Sequence, residues 1–118
     1  MTLQDLLNKT YSKYDYNCFH FMIDCYMFFY GRDIKDLFLE AFVYGVKTRR
    51  KTTMFKRCDS KLAQIVLVWY PEGLHCGTIV DGKVLHICED VGVKWQPIDE
   101  VIRFANKVKF YEYCENLG

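Results

Sequence analysis

Leu74-His75-Cys76-Gly77-Thr78-Ile79-Val80-Asp81-Gly82-Lys83-Val84-Leu85-His86-Ile87-Cys88 is the stretch whose reading decides the fold. Two β-rich runs, His75 to Val80 and Lys83 to Cys88, flank Asp81-Gly82, a dipeptide that tolerates the positive φ angles of a two-residue hairpin turn. With that turn Val80 faces Lys83, Gly77 faces His86 and His75 faces Cys88, and the last four positions share one face of the hairpin. His75 and His86 are then diagonal neighbours, roughly 7–8 Å apart at the backbone. Gly77 has no side chain, which leaves room for one imidazole to lean toward the other. Cys76 falls on the opposite face, beside Ile87, and is expected in the core.

Outward from the hairpin the pattern continues in both directions. Leu62 to Tyr70 is a continuous β-rich run closed by Pro71-Glu72-Gly73, and Val93 to Gln96 and Val108 to Tyr113 read as further strands. Asp99 to Asn106 fits a short capped helix between them. Upstream, Thr2 and Asp5 have capping-box spacing ahead of Leu6 and Leu7, giving a short helix that ends before Tyr11. Asn17 can cap a second helix from Cys18 to Tyr30, stopped by Gly31 as a left-handed C-cap. Its apolar residues run round nearly every side, so it should be the hub of the core. Asp33 can open a third helix in which Ile34, Leu37, Phe38, Ala41 and Phe42 follow helical spacing. Lys47 to Arg57 carries basic residues and no acidic one and is expected as an exposed loop. Helices first and a meandering antiparallel sheet of about five strands afterwards is an α+β arrangement.

The chain has 118 residues, enough for one domain spanning 1–118. Apolar residues make up 51% and aromatics 17%, which excludes a disordered chain and places Trp69, Trp95 and the Phe-rich helices in a core. Sixteen Lys and Arg against fifteen Asp and Glu leave a net charge of +1, so no overall field favours nucleic acid or an anionic membrane. The longest apolar stretch, Cys18 to Tyr30, contains His20 and Asp24 and is shorter than the roughly 20 residues needed to cross a bilayer. The N-terminal residues lack the basic and apolar regions of a secretion signal. The six cysteines, at 18, 25, 58, 76, 88 and 114, form no C-x-x-C pair and are expected as thiols.

Cys18 follows the cap of the second helix, where free amides and the helix dipole stabilise a thiolate. Taken alone, a cysteine in such an apolar helix is an inert buried thiol. The histidine register changes that reading. If His75 approaches Cys18 it can take the thiol proton, and His86 can hold the His75 ring in one tautomer, the nucleophile, base and orienter arrangement of acyl transfer. The backbone N–H of Cys18 is then a natural oxyanion donor. His20 lies about 200° round the helix from Cys18 and is expected to be satisfied by Asp24 at i+4. His75, His86 and Cys88 could also share a metal on the hairpin face, but no fourth ligand has recognisable spacing, so neither metal nor other cofactor is expected.

Tyr14-Asp15-Tyr16-Asn17-Cys18-Phe19-His20-Phe21, followed by His75-Cys76-Gly77-Thr78-Ile79-Val80 and His86, resembles the NlpC-like cysteine peptidases, compact papain-like enzymes that cut peptide bonds in the peptidoglycan stem. The resemblance covers nearly the whole chain. In that family the nucleophile opens a helix within an Asp-Cys-Ser motif and the base begins a His-x-Gly hairpin, positions matched here by Cys18 and His75, with His86 as the polar orienting residue. Gly92-Val93, Gln96-Pro97-Ile98 and Phe110-Tyr111 are also similar to small members encoded with phage tail tips. The resemblance implies a Cys-His-His hydrolase of stem peptides, with other phage tail proteins as partners. It also implies a chain made in the bacterial cytoplasm without a leader and carried in the virion. Asn17 stands where the family has Asp, Phe19 where it has Ser, and no Gly-Gly pair precedes the motif. A tyrosine upstream of the nucleophile often serves the family's site; Tyr11, Tyr14 and Tyr16 compete for that place, and Tyr14, with Tyr16, is taken as substrate-binding. Asn-Cys-x-His-Phe is also similar to the lecithin:retinol acyltransferase branch, where the base precedes the cysteine; here both hairpin histidines follow it. The alternatives are a related thiol acyltransferase or amidase, and a tail-assembly module that keeps the fold without turnover.

Overall fold

A computed structural model of the protein describes residues 1–35 and 55–113. Helix α1 (Leu3–Leu7) begins in the expected capping box: the Thr2 hydroxyl accepts the Asp5 N–H at 3.1 Å and the Asp5 carboxylate accepts the Thr2 N–H at 2.9 Å. Helix α2 (Cys18–Tyr30) starts at Asn17 and stops at Gly31, whose φ of 73° is the left-handed conformation that ends a helix at little cost for glycine. The chain then forms β1 (Phe55–Arg57), β2 (Ile65–Tyr70), β3 (Gly73–Val80), β4 (Lys83–Cys88), β5 (Gly92–Pro97), α3 (Ile98–Ile102) and β6 (Lys107–Tyr113). No helix among the described residues is long and apolar enough to cross a membrane.

The strands build one antiparallel sheet in the order β1-β6-β2-β3-β4-β5. Strands β2 to β5 form the expected meander. Helix α3 covers Ile98–Ile102 and has no side-chain cap, where a capped helix over Asp99 to Asn106 was expected, and two features of the sheet also depart from the sequence expectation. The sheet has six strands where about five were expected, because the end of the basic run pairs as β1 with β6, Phe55 opposite Tyr113 and Arg57 opposite Tyr111. An apolar anchor explains it: the Phe55 ring packs edge-on against Tyr26 and Tyr113. Second, β2 starts at Ile65 rather than Leu62, because the Asp59 carboxylate accepts the Lys61 and Leu62 amides in a turn that leaves them outside the ladder. The third helix lies outside the described residues apart from its start, where Asp33 accepts the Lys35 N–H at 3.0 Å and Ile34 is fully buried; residues 47–54 of the basic run also lie outside them.

Both faces of the sheet are covered. Strand pleating puts Ile65, Leu67, Cys76, Leu85 and Ile87 on one face, packed on Phe21, Met22, Cys25 and Tyr26 of α2 and Leu6 of α1. Val66, Val68, Ile79 and Val84 point the other way, onto Val101 of α3. This explains why Ile65 to Val68 reads as an unbroken apolar run. Helix α2 is the hub, but with a solvent side, since Met27 and Phe28 are exposed. Thr78, fully buried at the α2 interface, donates its hydroxyl to the Met22 carbonyl at 3.1 Å.

The hairpin has the expected turn and register. Asp81 and Gly82 have φ of 55° and 72°, and the ladder pairs Val80 with Lys83, Ile79 with Val84 and Thr78 with Leu85. It ends there. Below Thr78, β3 pairs only with β2, and beyond Leu85, β4 pairs only with β5, so the two strands part at Gly77 and His86. Gly77 is wedged where they part: a Cβ on it would lie 2.5 Å from Val84 Cγ1 and 3.2 Å from both His86 Cβ and the Leu85 carbonyl oxygen. Gly77→Ala is therefore expected to overpack this point, lowering stability by about 1–3 kcal/mol in urea unfolding and displacing His86; an unchanged midpoint would show that the close approach is not a constraint.

Candidate active site

The cleft between the diverging strands, about 350 Å³, is lined by Gly73, Leu74 and His75 from β3, His86, Ile87 and Cys88 from β4, and the adjoining Glu72 and Glu89. Tyr70 closes one side. Cys18, at the first turn of α2, and Tyr11 enter from the helical face. By the pleat, His75, Gly77, His86 and Cys88 belong to the sheet face opposite α2, where Val66 and Val68 stand across from Gly77 and His75. Cys18 packs with Cys76 and Ile87 on the near face. Where β3 and β4 no longer pair, Cys18 and His75 line the same cleft, and both His75 and Cys76 act on the Cys18 thiol.

Local sequence places the cysteine. The Asn17 side chain accepts the Phe19 amide at 3.0 Å, so α2 begins at Cys18, whose own N–H has no acceptor within the helix. The Cys18 thiol is pulled down to about 5 from an ordinary 9.0. The Cys76 thiol, donating to the sulfur, is the largest cause; the hydrogen bond and charge of His75 and the Cys76 backbone add to it and together outweigh the opposing effect of burial. Cys76 shifts the other way: complete burial first, then the neighbouring Cys18, keep it protonated well above the ordinary range.

The two histidines meet as the register requires. His75 Nε2 lies 2.8 Å from His86 Nδ1, with the rings nearly perpendicular, 71° apart. His86 Nε2 is in turn 2.8 Å from Gln96 Oε1. Gln96 stands opposite Val84 on β5, on the same face as His86, and its carbonyl oxygen can only accept. That fixes a direction. His86 carries its proton on Nε2, its bare Nδ1 accepts from His75 Nε2–H, and the remaining nitrogen of His75, Nδ1, is the one left to exchange a proton with Cys18. His86 stays neutral because burial, then repulsion from His75, lower it to about 4.

The tyrosines depart from the expectation. Tyr14 and Tyr16 do not reach the cleft. A bridge between Ser12 and Tyr16, with N···O distances of 2.9 and 2.8 Å, folds residues 12–16 into a tight loop whose tip, Tyr14, is 83% exposed. Tyr16 donates to Asp24 on the other flank of α2. The cleft is lined instead by Tyr11, just before the bridge, whose phenol is raised by burial and by the charge of Cys18. His20 is not satisfied by Asp24, which Tyr16 occupies; its Nδ1 accepts the Asn17 N–H at 3.1 Å and completes the helix cap. Gln96 could have been found by extending the register arithmetic one strand further, and Tyr11 could not, because only the Ser12–Tyr16 bridge decides which tyrosine faces inward.

The arrangement brings a thiol held below its ordinary range, an imidazole that can exchange a proton with it and a tautomer-fixing chain into one cleft, the parts needed to attack an acyl carbon and protonate its leaving group. Comparison of the chain with protein-family models, with curated proteins and with solved structures gives no match.

Iodoacetamide should label Cys18 with a rate that rises with pH about a midpoint near 5, while Cys76 stays protected until unfolding. A midpoint near 9, or faster labelling of Cys76, would contradict the arrangement. Since Gln96 acts through the His86 tautomer, Gln96→Ala should slow this labelling and any turnover on the order of tenfold, and Gln96→Glu, which still accepts, should restore it. Equal loss in both variants would reduce Gln96 to a packing residue.

Proposed function

We propose that the protein is a cysteine peptidase that hydrolyses peptide bonds of the peptidoglycan stem through an acyl-enzyme, working as a phage tail-associated cell-wall hydrolase carried in the virion. The observation that carries the hydrolase reading is the 2.8 Å bond from His75 to His86 beside Cys18. The resemblance of the motifs around Cys18 and His75 to the NlpC-like peptidases supports the substrate and the phage tail setting.

In this reading His75 Nδ1 takes the Cys18 thiol proton, the thiolate so formed attacks the scissile carbonyl, and the backbone N–H of Cys18 stabilises the developing oxyanion. His75 then gives a proton from Nδ1 to the leaving amine, and a thioester remains on Cys18. A water enters, loses a proton to His75 Nδ1 and attacks the thioester; the collapse releases a carboxylic acid and returns the thiolate. Throughout, His86 accepts from His75 Nε2–H and steadies the imidazolium.

One observation favours the rival reading of a tail module without turnover: Cys18 is only 7% exposed. The same experiment separates the two. Purified peptidoglycan incubated with the protein should yield new free amines and stem fragments by mass spectrometry. His75→Ala should lower the yield by about 10²–10⁴-fold, with His86→Ala losing more than His86→Gln, whose amide can accept the same bond. Circular dichroism controls for folding. Absence of fragments from the wild-type protein, or a full yield from His75→Ala, overturns the peptidase reading.

A further inference from the structure

We infer that His75, His86 and Cys88 form a binding site for a borderline-soft divalent cation of the zinc type, and that its occupation switches off the thiol site. His86 Nδ1 lies 2.8 Å from His75 Nε2 and 3.6 Å from Cys88 Sγ, and the three atoms all fall within 4.8 Å of one another. Zinc held at about 2.0–2.1 Å from nitrogen and about 2.3 Å from sulfur puts tetrahedral neighbours about 3.4 Å apart for two nitrogens and about 3.6 Å for nitrogen and sulfur. The nitrogen–sulfur edge from His86 to Cys88 is already in place. The histidine pair must open by roughly half an ångström, and His75 Nε2, within 4.8 Å of the Cys88 sulfur, must come to about 3.6 Å from it, at the point where β3 and β4 no longer restrain each other.

The outer shell is also present. A metal-bound imidazole needs an acceptor for its other N–H, and His86 Nε2 has the Gln96 carbonyl at 2.8 Å. His75 has the Cys18 sulfur, with which it hydrogen-bonds. Two imidazoles and a thiolate suit zinc and leave a fourth position for water. On binding, the Cys88 thiol loses its proton to solvent, and the single ring proton of His75 passes from Nε2, now on the metal, to Nδ1. No electron is transferred. With a proton on Nδ1, His75 has no lone pair left to take a proton from a thiol or a water, so the cation inhibits by tautomer rather than by filling the substrate cleft.

The binding half of this inference stands on the ligand geometry alone; the inhibitory half rests on the hydrolase reading. Both are tested on the full chain. Cobalt(II) titrated in as the probe should bind one ion per chain with a tetrahedral, thiolate-containing absorption spectrum, and zinc should displace it. Cys88→Ser and His86→Asn should each weaken binding about tenfold or more, and Cys18→Ser should leave it in place. A spectrum without thiolate character, or binding untouched by both ligand variants, overturns the site; if one variant fails to fold by circular dichroism, the other decides. Hydrolysis of peptidoglycan should be lost on adding zinc and restored by a chelator in the wild type. Metal binding with hydrolysis unimpaired overturns the switch, whereas binding in a protein that never hydrolyses peptidoglycan leaves the site and removes the peptidase reading.

Discussion

The site depends on a hydrogen-bond ladder that stops early. Strands β3 and β4 pair from the Asp81-Gly82 turn to Thr78 and Leu85 and then separate. A sheet covered on both faces normally isolates what lies on one side from what lies on the other, since side chains alternate and the backbone between them is closed by hydrogen bonds. Here the missing rungs open a passage through the sheet. Cys18 approaches from the face packed by α2, the histidines belong to the opposite face, and they meet in the opening. Gly77 sits at the fork, and its Cβ-free backbone allows His86 and Val84 to come as close as they do.

The rest of the fold holds that fork in place. The α2 face of the sheet and the α3 face carry separate apolar clusters, so β2 and β3 are clamped from both sides. Gln64 ties the helical layer to the sheet, its carbonyl oxygen accepting from the Tyr26 hydroxyl at 2.8 Å and the Tyr113 amide at 2.9 Å. Tyr30 donates to the Ile79 carbonyl and Thr78 to Met22, so the closed part of the hairpin is pinned to α2 by hydrogen bonds as well as by packing. The upper halves of β3 and β4 pair with each other and the lower halves with β2 and β5, so each wall of the cleft is carried by its own neighbouring strand.

Electrostatics then separate groups that are chemically alike. Cys18 and Cys76 are neighbouring thiols, yet one is drawn toward the thiolate and the other away from it, because Cys76 donates to Cys18 and only Cys18 has an imidazole partner. His75 and His86 differ in the same manner. Burial keeps His86 neutral, and an acceptor-only carbonyl at the far end of the chain points each proton along it toward Gln96 and away from the cysteine. Cys88 stands beside this chain at 3.6 Å from His86, so the groups that orient the base are also the groups a cation would recruit.

What the sequence determined by itself is local. The Thr2 and Asn17 caps, the Gly31 stop and the Asp81-Gly82 turn each depend on a few adjacent residues, and the pairing of His75 with His86 follows from the turn by counting, because strand periodicity is rigid over so short a span. What the tertiary structure decided involves contacts between distant segments. No local pattern marks where a ladder between two good strands will end, and Phe55 turns a basic run into an edge strand only because Tyr26 and Tyr113 are there to receive it. The choice of Tyr11 over Tyr14 and Tyr16 depends on a two-bond bridge at Ser12, and the release of His20 from Asp24 on a tyrosine reaching that carboxylate first. Short-range geometry is set by bond rotation and periodicity along the chain, while the partner of a side chain is settled by whichever competing group the whole fold brings nearest.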